Sequence, residues 1–401
     1  MSLRFLILNT DYLEFLDSLY SKHPGLEHAP FDEQMRARNE SLFGVADFYS
    51  KSLAKLGHEA YDIHVNNEHM QKAWAGEHGL KVASREGGPG RTALQLARRT
   101  AARTPARRLR ALFRPVLRKL DNGGGWLYDT LTAQIAHYRP DVILNQDMFS
   151  ISSRFLAEAR QRVKCVAGQI ASPLPRNQDM KVYDLVISSL PNFVEHFRGL
   201  GIPSELNRLA FDSRVLAHLP ERRPDIAVSF IGSLSAAHAR RISILERLCE
   251  RLDIRIWGAG ADSLPLGSRI RECYAGNAWG AEMYGILRRS KITLNTHIGI
   301  AGNFANNCRL FEATGAGALL VTDWKANLKE MFEPGREVVA YRNTEECVEQ
   351  VEYYLANDVE REVIARAGSQ RTLSEHTYDN RARELADIIE CYLKRGIRTC
   401  A

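Results

Sequence analysis

The sequence alternates short, uninterrupted apolar runs with stretches of helical period, and this alternation occurs twice along the chain. The first series begins at Leu3–Asn9, and a second series begins at Ile226–Ile231. Apolar runs without polar alternation are typical of strands buried on both faces, as in parallel sheets. Strands that alternate with helices form doubly wound sheets. The sequence therefore predicts an α/β protein with two consecutive parallel-sheet units.

The same pattern predicts the further elements of both units. Helical periodicity covers residues 42–56 and 126–137. Further strands are predicted at Ala60–Val65, Asp141–Asn145, Val163–Gln169, Leu185–Ser189, Asp253–Gly258, Lys291–His297 and Ala318–Asp323. The simplest architecture is two Rossmann-like domains with parallel sheets facing a central cleft.

A chain of 401 residues is too long for one ordinary core, which favours two domains. The stretch around Pro220–Pro224 reads as a linker. We expect a first domain over 1–212 with an insertion at 87–124, a linker at 213–224 and a second domain over 225–378. Residues 379–401 are predicted to form a helix that crosses back to the first domain.

Composition excludes several classes of protein. The apolar run at the N-terminus is too short for a signal-peptide core, and no run approaches the roughly 20 residues that cross a bilayer. We therefore expect a cytoplasmic protein. Its seven cysteines are scattered and form no C-x-x-C pair, so neither a disulfide framework nor a zinc site is indicated.

Basic charge is concentrated in residues 91–119, which hold ten arginines and lysines and no acid. The net charge of the chain is +6, so the remainder sums to −4. Because Phe113 is the only aromatic residue of this segment, nucleic acid is not an expected partner. A solvated face and peripheral contact with the anionic inner face of a membrane are the two alternatives. Pro105 and Pro115 argue against one continuous interfacial helix.

The second series carries several candidate binding residues. Gly232 and Ser233 follow a strand and precede a helix, where backbone N–H groups approach a diphosphate. Tyr284 lies where an aromatic ring packs against a base or covers the sheet. His297 ends a strand, which points either to a cleft or to a structural role.

A longer string supports a binding role for the second unit. It runs from Asn307 through Arg309 and Glu312 to a Gly-x-Gly helix end and the strand that finishes at Asp323. Arg309 and Glu312 lie on one helix face, where an intrahelical ion pair is the alternative reading.

Residues 226–380 resemble the C-terminal nucleotide-binding domain of GT-B-fold glycosyltransferases, closest to the CgeB-like (spore-maturation) branch. The string from Arg309 to Asp323 carries the likeness, and Glu330–Val339 and Glu375–Tyr378 extend it. Residues 1–210 resemble the acceptor domain more loosely, through Phe43-Gly44 and Leu56–Glu59.

This resemblance implies a GT-B fold and a UDP-, GDP- or dTDP-sugar donor, with no bound metal and no permanent cofactor. Glu312 would bind the ribose hydroxyls, because a carboxylate accepts two hydrogen bonds from a diol. Gly232 and Ser233 would face the diphosphate, and Arg309 would offset its charge. Tyr284, His297 and Asn307 complete the predicted donor site.

One position departs from the pattern of retaining GT-B enzymes. They often carry an acid eight residues before the ribose-binding glutamate, where this chain has Phe304. The stereochemical course is therefore left open.

The first domain should supply the acceptor site and any general base, for a glycan, lipid-linked or small-molecule acceptor. Asp11 and Asp147 follow strand ends and are the candidate general bases that would take the proton of the acceptor hydroxyl. Tyr12 and Gln169 are the candidate acceptor contacts. For each aspartate, capping of the next helix is the alternative.

Two other classes of function fit the same features. A GT-B-fold sugar-nucleotide epimerase or hydrolase would convert the donor without an acceptor. A non-catalytic module would use the basic insertion to dock on a membrane or nucleic acid.

Overall fold

A computed structural model of the chain describes residues 1–80, 125–175, 178–234, 239–297 and 299–396. The basic segment 91–119 and the whole predicted insertion 87–124 lie outside the described residues.

The chain forms two compact units. The first comprises Met1–Asn9, Ala37–Ile63 and Pro140–Ala401, and the second comprises Thr10–Arg36 and His64–Arg139. Both parallel sheets belong to the first unit, apart from the last residue of one edge strand. The division into domains expected from the sequence stays a prediction.

One sheet of the first unit has six strands in the order β2-β1-β3-β4-β5-β6. Its strands are β1 Arg4–Asn9, β2 Glu59–His64, β3 Val142–Asn145, β4 Cys165–Gln169, β5 Leu185–Ser188 and β6 Ser204–Leu206. The pairs from β1–β3 through β5–β6 are parallel. Their carboxyl ends therefore meet at one edge, where β1 pairs Leu8 with Asn145.

The other sheet has five strands in the order β11-β10-β9-β7-β8. Its strands are β7 Ile226–Ile231, β8 Ile254–Trp257, β9 Ser290–Asn295, β10 Leu319–Asp323 and β11 Val339–Tyr341. All four pairs are parallel. The predicted α/β class with two parallel sheets is confirmed.

The helices connect the strands and cover the sheets. The described α-helices are α1 Leu13–Lys22, α2 Phe31–Glu40, α3 Phe48–Lys55, α4 Glu68–Glu77, α5 Gly125–Tyr138, α6 Ser153–Ala159, α7 Pro191–Gly199, α8 Ala239–Cys249, α9 Ile270–Cys273, α10 Gly280–Arg289, α11 Arg309–Ala316, α12 Thr344–Ala356, α13 Asp358–Glu375 and α14 Tyr378–Lys394. None of these described helices is both long enough and apolar enough to cross a membrane.

Two predicted elements differ from the structure. The helix predicted over 42–56 begins only at Phe48, because Leu42, Gly44 and Ala46 adopt left-handed backbone conformations that a helix excludes. The predicted linker contains a short 3₁₀ helix over Ser213–His218, which buries Val215 in the core.

The second unit has its own small core, in which Met70 and Trp74 of α4 pack against Phe31. Trp74 Nε1 donates a hydrogen bond of 3.2 Å to the hydroxyl of Tyr138 in α5. A buried side-chain hydrogen bond of 3.1 Å joins Gln134 to Gln71. These contacts hold α4 and α5 together around an aromatic centre.

The last described helix, α14, packs against α3, the helix that precedes strand β2 of the six-stranded sheet. The rings of Phe48 and Tyr378 lie 5.1 Å apart, and Lys55 Nζ lies 2.8 Å from the Asp379 carboxylate. Thr377 and Asn380 form a capping box that starts the helix. The C-terminal helix α14 thus contacts α3, which lies in the N-terminal part of the chain.

Candidate functional site

The carboxyl end of β7 forms a tight turn against β8. The Gly232 N–H donates to the Trp257 carbonyl at 2.9 Å. Gly258 has φ +136°, and a Cβ at this position would lie 2.0 Å from the Gly232 carbonyl oxygen. Only glycine fits such a backbone approach. The turn at Gly232 and Ser233, predicted to face a diphosphate, is therefore fixed by glycine on the neighbouring strand.

Arg241 lies near the start of α8 and forms hydrogen bonds with the backbone at the Gly232–Ser233 turn. Its Nη1 donates to the Ser233 carbonyl at 3.0 Å, while Nη2 and Nε donate to the carbonyl and hydroxyl of Thr296 at 3.0 and 2.9 Å. The guanidinium lies 5.4 Å from the centre of the Phe230 ring. A single side chain thus connects the end of β7 with the end of β9.

The charge of Arg241 is buried without a counter-ion. The residue is 8% exposed, and its hydrogen-bond acceptors are all uncharged. Within the described part of the chain no carboxylate forms an ion pair with it. Burial lowers the pKa of Arg241 to about 10, a shift that Tyr341 and Asp323 partly oppose. Buried cations normally have an anionic partner, so this arrangement suits a bound anion.

Arg309 and Glu312, both on α11, form the ion pair that their spacing allows. Arg309 Nη1 lies 2.9 Å from Glu312 Oε2, with side chains 11% and 13% exposed. Arg309 Nη2 also donates to the Ile231 carbonyl at 3.3 Å. Asn307 accepts a hydrogen bond of 2.7 Å from the Arg309 N–H, two residues on at the start of the helix. Arg309 thus connects two other predicted donor residues, Asn307 and Glu312, with Ile231, the residue before Gly232.

The end of α11 explains the glycines of the sequence string. Gly317 has φ +91° and ends the helix, with its N–H bonded to the Thr314 carbonyl at 2.9 Å. Gly315 lies against Phe211, whose ring would be 2.4 Å from an added Cβ. These two glycines serve the helix end and its packing.

His297 lies at the end of β9 beside Asp323 at the end of β10. Asp323 Oδ1 accepts hydrogen bonds from the His297 backbone N–H at 2.9 Å and from Nδ1 at 2.6 Å. Lys325 Nζ lies 3.3 Å from Asp323 Oδ2. Burial raises the pKa of Asp323, but the contacts with His297 and Lys325 outweigh it and hold the pKa below its usual value.

Tyr284, predicted to bind the donor, lies inside the core. It is 2% exposed, and its ring meets Phe211 edge-on at 5.9 Å. Burial raises the pKa of its hydroxyl well above the usual value. The neighbouring Met283 instead contacts Arg309, with 3.3 Å between Sδ and Nη2. Met283, and not Tyr284, is therefore the residue of this helix turn that lies beside Arg309.

Two predicted residues lie in the second unit. The Asp11 carboxylate lies 3.1 Å from His64 Nδ1, and both side chains are buried, at 1% and 0% exposure. The side chain of Asn66 forms two hydrogen bonds with the backbone of Asp11. Its Oδ1 accepts the Asp11 N–H at 2.8 Å, and its Nδ2 donates to the Asp11 carbonyl at 2.7 Å. Tyr12 is 65% exposed at the start of α1. Asp11 is therefore part of a buried pair with His64, whereas the ring of Tyr12 is exposed to solvent.

Asp147 and Gln169 follow strands of the six-stranded sheet. Asp147 Oδ1 accepts the N–H groups of Phe149 and Ser150 at 2.9 and 3.0 Å, which closes a turn in the loop before α6; the helix itself begins later, at Ser153. Gln169 accepts a hydrogen bond of 2.6 Å from Gln146 and donates one of 3.3 Å to the Tyr49 hydroxyl. Their catalytic and acceptor roles stay predictions.

Sequence reasoning did not find Asp62 of β2. Ser50 Oγ donates to its carboxylate, and Asn9 Nδ2 lies 3.5 Å away. Burial raises the pKa of Asp62 to about 7; the hydrogen bond from Ser50 opposes the shift, and the charge of Asp47 adds to it. Nothing in the strand sequence distinguishes this carboxylate. Arg241 was missed for a similar reason, because it resembles the other arginines of its helix.

The connection between α2 and α3 reaches the N-terminus of α10. The Ser41 carbonyl accepts the Ala281 N–H at 2.9 Å, and the ring of Phe43 meets Trp279 edge-on at 5.3 Å. Two of the three non-glycine residues with positive φ in the described chain, Leu42 and Ala46, lie here. Strained backbone of this kind is common next to functional sites.

No group of three or more His, Cys, Asp or Glu residues is arranged to hold a metal ion in the described ranges. Arg241 and Arg309 are two cations that donate hydrogen bonds to the backbone of the turn, at the Ser233 and Ile231 carbonyls.

Comparison with known proteins points to the same part of the chain, around the five-stranded sheet. Residues 240–387 match the family described as Glycosyl transferase-like, a stretch that contains Arg241, His297, Arg309, Glu312 and Asp323. The sequence matches no curated protein at a significant level.

Solved structures match nearly the whole chain. A glycosyltransferase from Rickettsia africae ESF-5 matches with a TM-score of 0.55 and 13% identity, over 98% of this chain and 99% of that one. Sucrose-phosphate synthase from Thermosynechococcus elongatus gives 0.55 and 9%, over 98% and 100%. Anabaena HepE in complex with UDP-glucose gives 0.55 and 12%, over 97% and 100%. The fold is GT-B, as predicted.

Proposed function

We propose that this protein is a glycosyltransferase that moves a sugar from a nucleotide-sugar donor to an acceptor hydroxyl. The observation that carries the proposal is the meeting of Gly232, Arg241, Arg309 and Glu312 at the carboxyl edge of the five-stranded sheet. Ligands of open α/β sheets bind at this edge. The glycosyltransferase-like family match over 240–387 supports the same assignment, and the CgeB-like branch is our finer proposal.

The nucleotide would bind by its charged and its diol groups. The diphosphate would lie against the turn at Gly232 and Ser233, beside the buried charge of Arg241, whose Nη1 donates to the Ser233 carbonyl. Glu312 accepts hydrogen bonds from the ribose hydroxyls while Arg309 holds its other side. Arg309 and Arg241 oppose the negative charge that grows on the diphosphate as the glycosidic bond breaks. UDP-sugars are the first donors to test, because Anabaena HepE was solved with UDP-glucose.

The acceptor site belongs to the strand ends of the six-stranded sheet in this proposal. Gln169 and Asp147 follow strands of that sheet, as the proposed acceptor contact and base. Tyr12 and Asp11, which belong to the second unit, are proposed as an acceptor contact and a base from the sequence pattern alone. Their roles would be tested by Asp147→Asn and Asp11→Asn, each of which removes a base while keeping its shape. The proposed domains are 1–212, with its insertion at 87–124, and 225–378, joined by 213–224 and followed by a helix at 379–401.

The protein is proposed to work in the cytoplasm, with its basic segment 91–119 against anionic lipid and a lipid-linked or glycan acceptor. Ten cations without an acid support this reading, because each adds about 1 kcal/mol near an anionic surface. Cosedimentation with phosphatidylglycerol vesicles tests it, with phosphatidylcholine vesicles as the control. Equal binding to both, or none, would remove the proposed membrane contact.

A thermal-shift screen against UDP-, GDP- and dTDP-sugars tests the main proposal. A donor at 100 times its dissociation constant stabilises the fold by about 2.7 kcal/mol. Glu312→Gln should abolish most of this shift, whereas Glu349→Gln on the exposed face of α12 should leave it unchanged.

Product analysis then separates the classes of enzyme. Transfer requires an acceptor, so chromatography should show a glycosylated product only when one is present. Conversion of the donor without an acceptor would indicate an epimerase or hydrolase. A protein that binds none of these nucleotides would contradict the proposal.

A further inference from the structure

His297 holds a buried nitrogen that no described residue satisfies. Its side chain is fully buried, at 0% exposure. Nδ1 meets Asp323, but Nε2 has no hydrogen-bond partner in the described part of the chain. An unpaired buried polar atom destabilises a fold unless something else occupies its bonding position.

The pairing with Asp323 determines which ring nitrogen carries hydrogen. Asp323 Oδ1 already accepts the His297 backbone N–H at 2.9 Å, and the Nδ1 contact is 2.6 Å. The pKa of Asp323 is held below its usual value by His297 and Lys325 against the effect of burial, so this group is a carboxylate that can only accept. Nδ1 must therefore donate. In the neutral ring Nε2 is then a hydrogen-bond acceptor.

The position of this acceptor is fixed on both sides. Asp323 holds the ring, and Arg241 holds the preceding residue, Thr296, by its carbonyl and its hydroxyl. The same guanidinium holds the Ser233 carbonyl at 3.0 Å. The turn that carries His297 and the turn proposed to face the diphosphate are therefore within reach of one side chain. In a nucleotide sugar, the group next to the diphosphate is the sugar.

We infer that His297 Nε2 accepts a hydrogen bond from a hydroxyl of the donor sugar, and that Asp323 is the positioning residue for this contact. The inference rests on the proposed function and adds the sugar-recognising group to it. A hydroxyl is the complementary partner, because it brings the hydrogen that a neutral Nε2 lacks. Phe304, in the segment that follows His297, offers no such acceptor.

The test compares nucleotide with nucleotide sugar in the same variants. Calorimetry gives the dissociation constants for UDP and UDP-glucose, GDP and GDP-mannose, and dTDP and dTDP-glucose, and the pair bound by the unaltered chain is then used. His297→Asn keeps an amide near Nδ1 to reach Asp323 but has nothing at Nε2. His297→Gln places an amide near Nε2. His196→Asn, exposed on α7, is the matched control.

We expect His297→Asn to weaken binding of the nucleotide sugar about tenfold, as for one lost hydrogen bond, and to leave the nucleoside diphosphate within about twofold. His297→Gln should recover part of the loss, and His196→Asn should change neither constant. Asp323→Asn should give a similar selective loss and should lower kcat/KM for transfer. A donor lacking the contacted hydroxyl should bind the unaltered chain weakly and should lose nothing further in His297→Asn.

Four results would overturn the inference. Unchanged binding of the nucleotide sugar by His297→Asn would mean that Nε2 does not meet the sugar. An equal loss for the nucleoside diphosphate would place the ring on the nucleotide or in the fold alone. If His297→Asn fails to fold, an undiminished affinity in a folded His297→Leu would have the same meaning. Should the unaltered chain bind none of the six ligands, the proposed function fails first, and this inference fails with it.

Discussion

Gly258 is the residue on which the geometry of the proposed diphosphate turn depends most directly. Its φ of +136° is open to few residues other than glycine, and an added Cβ would lie 2.0 Å from the Gly232 carbonyl oxygen. Real Cβ atoms essentially never come within 3.0 Å of such an atom. Gly258→Ala must therefore push the Gly232 turn away by about an ångström. The neighbouring Gly276 has φ +104°, but a Cβ there meets nothing within 4 Å.

The two substitutions separate backbone strain from steric clash. An unfavourable backbone conformation costs about 1–3 kcal/mol at either position. At Gly258 the clash adds about 1–3 kcal/mol, as overpacking does in a well-packed interior. We therefore expect Gly258→Ala to lower the free energy of unfolding by about 1–3 kcal/mol more than Gly276→Ala does. Because the displaced atom belongs to Gly232, Gly258→Ala should also lose the thermal shift produced by the donor.

Urea denaturation followed by circular dichroism gives the first quantity, and thermal-shift titration with the nucleotide sugar gives the second. The reasoning requires both effects in Gly258→Ala, and in Gly276→Ala only the moderate loss of stability. If the two variants are equally stable, the approach of the two strand ends does not limit this site. If Gly258→Ala binds the donor normally, the Gly232 turn is not where the diphosphate lies.

Further predictions concern single charges. Arg241→Met should weaken binding of UDP at least tenfold and binding of uridine little, because the guanidinium acts on the diphosphate, and Arg247→Met, exposed beside Glu250, is the calorimetric control. The pKa of the Asp62 carboxyl is about 7 in the folded protein, above its value in the unfolded chain. At a pH between these two pKa values the folded state holds the extra proton. The free energy of unfolding should therefore fall as the pH rises towards and through 7. The loss approaches about 1.4 kcal/mol per pH unit between the two pKa values, and Asp62→Asn should flatten this slope in urea titrations from pH 4 to pH 8. Lys55→Met breaks only an exposed ion pair with Asp379, so its unfolding free energy should change by less than about 1 kcal/mol.

The fold was largely predictable because its strands are short apolar runs with clear ends. The predicted strand at Ile226–Ile231 has the bounds found in the structure, and Leu3–Asn9 is extended from Arg4. The helix predicted over 42–56 was wrong at its start, since left-handed residues such as Leu42 have no signature in periodicity. The helical second unit, formed from two separated segments, was also not predicted, because long-range association leaves no local pattern.

The candidate site was predictable where its residues share one helix, and not where it depends on tertiary partners. Arg309 and Glu312 are three residues apart, so their pairing follows from helical spacing. The partner of His297 is Asp323, which lies 26 residues away on the next strand. Arg241 is buried because it lies on the face of α8 that packs against Phe230. The sequence of the helix does not reveal which arginine lies on that face.

Charge around the turn at Gly232 connects stability with binding. Arg309 is matched by Glu312, and Lys325 is matched by Asp323, whereas Arg241 has only uncharged acceptors. In the described part of the chain, the buried charge of Arg241 is therefore not offset by an ion pair. A diphosphate bound at Gly232 supplies the missing negative charge, so the electrostatic cost of Arg241 is relieved only in the complex. The same residue that destabilises the empty site then favours binding, which is why removing the guanidinium should reduce affinity more than it reduces stability.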